Sequence, residues 1–270
     1  MDRISPIVDW KADLSGLFRM DRKVVFMPGG YGGIGEAVAW ALALAGALIV
    51  VAGRDGEKAD QFAQALRDAG HKADGMEVDC EDVAQIRESV ERIFERHGRI
   101  DVLFNCVGTQ REEPLLEVTE EAFDEVFRVN LKSAMFLGQS VAAKQIEKGE
   151  GGKQVHLLSV RSQLALRDRG YSAYCATKGG LVMLVKQHAI ELAPHGINVN
   201  GIAPTFIYTE QIRHVMENDE FRRRLFERIP LGRIGDPKDI AGAGLYFSAP
   251  ASNFLTGQIL YVDGGITASQ

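Results

Sequence analysis

Short apolar runs alternate with longer helical patterns along this 270-residue chain. The runs fall at 23–28 (KVVFMP), 47–53 (ALIVVAG), 100–105 (IDVLFN), 154–159 (QVHLLS), 197–202 and 258–262 (QILYV), and a further strand ends within 74–79. Helical patterns occupy 33–45, 57–69, 83–95, about 120–148 and 171–193. Successive side chains of a strand point to opposite faces, so a strand apolar at consecutive positions is covered on both sides.

That pattern demands a parallel sheet with helices packed on either face. Right-handed crossovers then wind the chain outward from the middle of the sheet. The expected fold is α/β: a single-domain, Rossmann-like, doubly wound parallel seven-stranded sheet with helices on both faces. No linker rich in Pro, Gly or Ser divides the chain. Residues 21–270 therefore read as one catalytic domain behind an N-terminal extension of 1–20. The polar stretch 204–236 reads as either a surface insertion or a mobile substrate lid.

The chain carries 31 Lys and Arg against 37 Asp and Glu, for a net charge of −6. That balance argues against nucleic acid or an anionic membrane as the main partner. No apolar run reaches the roughly 18 residues of a membrane span; the longest, 37–52, contains Gly46 and a change from helix to strand and reads as core. The charged first residues, without an apolar core, argue against a secretory signal. Cys80, Cys106 and Cys175 are odd in number and far apart, which suits neither a disulfide framework nor a metal site and points to a reducing, cytoplasmic setting.

The segment 25–36 reads VFMPGGYGGIGE, with five glycines in seven residues between a strand and a helix. Glycine there lets a pyrophosphate approach backbone N–H groups at a helix N-terminus. The candidate dinucleotide contacts are Gly29, Tyr31, Gly32, Gly33, Ile34 and Gly35. At the end of the second strand a carboxylate suits the free ribose hydroxyl of NAD, and an arginine suits the 2′-phosphate of NADP. Both types follow Gly53, as Arg54 and Asp55. The guanidinium favours NADP(H), with NAD(H) as the alternative.

Tyr174 and Lys178 stand four residues apart in YCATK, on one face of a helix. A free tyrosine has a pKa near 10, and a neighbouring cation lowers it. The pair forms a general acid/base for a carbonyl or hydroxyl oxygen, worth about 10²–10⁴ in rate. Ser159, closing the run QVHLLS, stands where it can hydrogen-bond that same oxygen.

With these motifs in their order, the chain resembles the short-chain dehydrogenase/reductase family from about residue 21 to 265. The matching landmarks are the glycine loop, Asp79, the run Asn105-Cys106-Val107-Gly108, and Asn130. Ser159, Tyr174, Lys178, Pro204 and Thr209 follow, then LGRIGDPKDIAG (231–242) and TGQILYVDGG (256–265). The resemblance implies that Tyr174 exchanges the proton, Lys178 lowers its pKa and holds the nicotinamide ribose, Ser159 orients the substrate carbonyl, and Asn130 holds a water on the proton path. It implies further cofactor contacts at Asp79, Cys80, Asn105, Val107, Gly108, Pro204, Ile207 and Thr209. It also implies a homotetramer. The chain departs from the family at Pro28, at Cys106-Val107 and at Thr205. The 15 residues between Ser159 and Tyr174, against about 13 in the family, make Ser162 a rival catalytic serine.

The loops expected above the strand ends, 109–114, 161–171 and 206–228, are polar and rich in arginine. An arginine in a pocket selects a carboxylate or phosphate. Ser159, Arg161 and Gln163 are the candidate substrate contacts, and a sugar, polyol or sugar acid is the expected substrate class. A 3-oxoacyl-type ketone reductase is the alternative activity. A catalytically silent nucleotide-sensing protein is the alternative of another class, against which the intact Ser159, Tyr174 and Lys178 set speaks.

Overall fold

The computed structural model describes residues 14–167, 169–213 and 217–269. Most of the expected extension, residues 1–13, therefore lies outside the described residues, as do Asp168 and residues 214–216 of the expected lid. Strands β1 (Val24–Pro28), β2 (Leu48–Gly53), β3 (Ala73–Glu77), β4 (Val102–Asn105), β5 (Gly152–Leu157), β6 (Ile197–Pro204) and β7 (Ile259–Val262) form one sheet. Its order is β3-β2-β1-β4-β5-β6-β7, and every pairing is parallel. The chain starts near the middle and winds to both edges, as the doubly wound expectation requires.

Eight α-helices flank the sheet among the described residues: α1 (Gly33–Leu44), α2 (Gly56–Asp68), α3 (Val83–His97), α4 (Glu120–Phe127), α5 (Ser133–Lys148), α6 (Ser172–Leu192), α7 (Asp219–Arg228) and α8 (Pro237–Ser248). The alternation of side chains is visible in β1. Val25 and Met27 join Val38, Leu42, Ala59, Leu66 and Ile240 on one face. Val24 and Phe26 join Ile86, Ile93, Leu137 and Val141 on the other. The sheet thus buries two cores, and only the strand ends remain for a site.

The structure differs from the sequence expectation at three places that matter. The third strand ends at Glu77 rather than Asp79 and is partly exposed, because as an edge strand it pairs on one side only. The expected helix 120–148 is interrupted by a π-helical turn, Arg128–Lys132, which turns Asn130 fully inward. β5 stops at Leu157, so Ser159 lies two residues past the strand as the N-cap of a 3₁₀ turn, Val160–Ser162.

Residues 17–20 dock onto the domain: Met20 is buried and its N–H donates to the Ala45 carbonyl at 2.8 Å, while Leu17 accepts from the Ala251 N–H at 2.9 Å. Segment 204–236 begins at the end of β6 and is pinned by a bridge between Ile207 and Gly235. Inside it, Leu225 and Phe221 of α7 pack with Val160, Leu164 and Ile266. The segment covers the 3₁₀ turn that carries Ser159.

Helices α1 and α8 pack closely at Gly244, where an added Cβ would stand 2.8 Å from Cγ1 of Val38. Gly244→Leu should overpack this contact by about 1–3 kcal/mol. The thermal midpoint read by circular dichroism should fall by several degrees, on the order of 2–4 °C per kcal/mol.

Candidate active site

The first wall of the site is the turn between β1 and α1. Gly29 has φ +74°, and a Cβ there would lie 2.9 Å from the Cys106 carbonyl carbon. At Gly35 it would lie 2.9 Å from the Gly30 Cα. The turn is thus pressed against the end of β4 and against itself. Pro28, which lacks an N–H, still accepts from the Cys106 N–H at 2.9 Å, and Gly29 donates to the Ala52 carbonyl at 2.7 Å. Helices α2, α3, α4, α7 and α8 each have a side-chain N-cap; α1, like α5 and α6, has none, and its cap residue is Gly32. The first-turn N–H groups of Gly33, Ile34 and Gly35 are left for an anion. A pyrophosphate fits this cradle. Thr209 from the 204–236 segment reaches it, with its Cγ2 2.7 Å from where a Gly33 Cβ would be.

At the end of β2 the Tyr31 hydroxyl accepts from the Asp55 N–H at 3.3 Å, and its ring covers Gly53. Arg54 is largely exposed and donates to Glu81 at 3.1 Å. Glu81 also accepts from Nε of Arg128 at 2.6 Å. Asp79 is held in its loop, accepting from the Glu81 N–H at 3.0 Å, and beside it burial pushes the Cys80 thiol up to about 12. Asn105 is occupied within the protein: its Oδ1 accepts from the Val107 N–H at 3.0 Å and its Nδ2 meets His156 at 3.2 Å. It shapes the Val107–Gly108 backbone.

The second wall is α6 with the π-turn. Asn130 accepts from the Thr109 N–H at 2.7 Å and donates to the Thr109 carbonyl at 2.9 Å and to Thr177 Oγ1 at 3.1 Å. One buried amide thereby ties the loop after β4 to α6. Lys178 is buried, and its Nζ donates to the Leu157 carbonyl at 2.9 Å and lies 5.6 Å from the Tyr174 ring centre. Gly108 faces both groups: a Cβ there would meet Asn130 Oδ1 at 3.5 Å and Lys178 Nζ at 3.6 Å.

Desolvation pulls the Lys178 ammonium down to about 8. The Tyr174 residue keeps some exposed surface, but its hydroxyl sits at depth, and burial pushes it up to about 12. The neighbouring Ser159 hydroxyl and the charge of Arg161 oppose that rise. The expectation that Lys178 lowers the Tyr174 pKa is thus not met in the free protein, where desolvation outweighs every charge nearby.

Ser159 acts on the Tyr174 phenol, whereas Ser162 bonds the Tyr261 hydroxyl at 3.0 Å. Arg161 is buried beside Ser159, and Gln163 is exposed at the end of the same turn. Ile207 is buried at the Gly235 bridge, and Pro204 closes β6. Two loops meet at Gly170: the Glu113 N–H donates to its carbonyl at 2.9 Å, and a Cβ at Gly170 would fall inside the Glu113 backbone. Glu81, Arg128, Thr177 and the Leu157 carbonyl were missed in the sequence, because each acts through a contact between distant segments. Only Thr177, three residues from Tyr174 on the same helix face, carried a local signal.

A glycine cradle at the start of α1 and a Ser, Tyr and Lys group at the strand ends, its lysine buried, together mark a nicotinamide-dependent oxidoreductase acting on CH–OH groups. The chain belongs to the short-chain dehydrogenase/reductase family: a family model described as enoyl-(acyl carrier protein) reductase matches residues 30–267. It is 36% identical to a gluconate 5-dehydrogenase of Gluconobacter oxydans, over 94% of this chain and 98% of that one. It is 34% identical to a 5-keto-D-gluconate 5-reductase of Escherichia coli, again over 94% and 98%. A solved gluconate 5-dehydrogenase of Burkholderia cenocepacia in complex with NADP and tartrate superposes with a TM-score of 0.89. Its sequence is 36% identical, covering 94% of this chain and 99% of that one.

Lys178 gives a pH test. Its folded pKa of about 8 lies below the free value of 10.5, so between these values the unfolded chain binds more protons than the native one. Its contribution to stability should therefore rise with pH from 8 to 10.5, by about 3 kcal/mol at most. Urea unfolding at pH 8 and pH 10 should show a larger gain for wild type than for Lys178→Met. Lys153, also lowered to about 8 by burial, supplies the remaining slope.

Proposed function

We propose that the protein oxidises a secondary alcohol of a sugar acid, or reduces the matching ketone, with NADP(H). The observation that carries this reading is the convergence of Ser159, Tyr174 and Lys178 at the strand ends beside the open first turn of α1. The gluconate-type relatives and the neighbour solved with NADP and tartrate support the substrate class and the cofactor.

The bound nicotinamide would supply or accept the hydride. Gly29, Tyr31, Gly32, Gly33, Ile34 and Gly35 would cradle the pyrophosphate. Asp79, Cys80 and the Asn105–Gly108 run would border the adenosine, and Pro204, Ile207 and Thr209 the carboxamide. Ser159 would hold the substrate oxygen in place. Tyr174 would give it or take from it a proton. An uncharged, buried phenol is the correct form for donating that proton to a ketone. Lys178 would hold the ribose, and the Asn130 amide would keep Thr109 and α6 at fixed separation. Arg54 would read the 2′-phosphate, for which it must exchange Glu81.

The 204–236 segment serves in this reading as the substrate lid. An apolar groove on α4 to α6, lined by Phe127, Leu131, Met135, Phe136 and Leu184, supports a homotetramer. The three free cysteines support a cytoplasmic location.

NADPH should bind at least tenfold more tightly than NADH, about 1.4 kcal/mol, and Arg54→Glu should abolish that preference in a fluorescence titration. Tyr174→Phe should lower kcat on gluconate by about 10²–10⁴ while still binding NADPH. Retention of full turnover in that variant would overturn the reading.

A further inference from the structure

Arg161 is only 6% exposed, a rare position for a guanidinium. Its Nη1 is fully engaged, donating to the carbonyls of Leu164 at 3.0 Å and Ala165 at 2.9 Å. Its Nη2 is enclosed and meets no acceptor. No carboxylate among the described residues forms an ion pair with it. In the same loops Arg111 is matched by Glu125, Arg169 by Glu112, Arg213 by Glu210, Arg223 by Glu227 and Arg224 by Glu220. An enclosed cation without a counter-charge is unfavourable, and an unsatisfied donor of this kind calls for a partner that the protein itself does not supply.

The position is close to the reacting groups. The Arg161 N–H donates to Ser159 Oγ at 3.2 Å, and its charge acts on the phenols of Tyr171 and Tyr174. Arg228 at the end of α7 adds a second positive charge nearby, and burial and that charge both push the guanidinium down from its ordinary value. We propose that Nη2 of Arg161 receives the carboxylate of the substrate. The inference rests on the sugar-acid reading above and adds the group that enforces it. The two backbone bonds fix Nη1, so the carboxylate meets a donor already oriented, with little side-chain freedom left to lose. The substrate is then held at two points, its acid end at Arg161 and its reacting oxygen at Ser159 and Tyr174.

The test compares D-gluconate with sorbitol, its uncharged counterpart, and with a sugar phosphate, in the wild type, Arg161→Gln and Arg161→Lys. Arg161→Gln should lower kcat/KM for gluconate by about 10–100-fold, mainly through KM, the scale of one lost charge-assisted hydrogen bond. Its kcat/KM for sorbitol should change far less, so discrimination collapses. Arg161→Lys should recover part of it, and added guanidinium ion should partly rescue Arg161→Gln. NADPH titration and thermal melting establish that each variant is folded. If Arg161→Gln does not fold, the gluconate-to-sorbitol ratio in Arg161→Lys decides.

An equal loss on both substrates makes Arg161 a brace for 164–165 and overturns the proposal. So does a variant that keeps the acid preference, or loses only the sugar phosphate. A wild type that does not prefer gluconate to sorbitol overturns the sugar-acid reading itself, a result separate from any variant.

Discussion

All seven strands of this sheet point the same way, and helices bury both of its faces. That direction is the constraint on which everything else depends. The backbone N–H and C=O groups of the inner strands are satisfied by neighbouring strands, and apolar cores pack on either side. The open polar chemistry gathers at the carboxyl ends of the strands, where the chain turns back toward a helix N-terminus. The glycine turn after β1, Arg54 after β2, Asp79 after β3, Gly108 after β4, Ser159 after β5 and Pro204 at the end of β6 all lie along this one edge.

Within the edge, geometry is held by a few buried polar contacts. The Asn130 amide joins Thr109 to Thr177 and so fixes the distance between the loop after β4 and α6. The Leu157 carbonyl holds Lys178 against the end of β5. Both depend on interruptions of regular structure: the π-turn points Asn130 inward, and the early end of β5 leaves Ser159 on a turn rather than on a strand. The electrostatic result is a site in which both ionisable partners are biased toward their neutral forms. Desolvation is the common cause, so the state of the pair depends on how dry the site is.

Much of this was legible in the sequence because its signals are local. Consecutive apolar residues specify doubly buried strands, glycine spacing specifies the cradle, and the interval from Tyr174 to Lys178 places both on one helix face. Contacts between distant segments carried no such signal. The bridge of Glu81 between Arg54 and Arg128 spans three separate elements, and nothing in residues 120–148 announces that the helix widens at Arg128–Lys132. The direction of the Tyr174 shift was misread for a related reason. The neighbouring lysine is visible in the sequence, whereas the depth of the phenol is a property of the assembled fold.

The backbone contact between Gly170 and Glu113 has a consequence for how such a protein diversifies. At Gly170 the two loops over the strand ends meet main chain to main chain, with no room there for a side chain to absorb a change, and the Arg169–Glu112 ion pair joins them alongside. A side chain introduced at position 170 displaces the 109–114 loop, and a residue inserted in either loop shifts the other. The two loops therefore vary as one unit. A new specificity is reached by paired changes on both sides of Gly170, and a single graft of one loop from a relative would arrive without the surface it was shaped to meet.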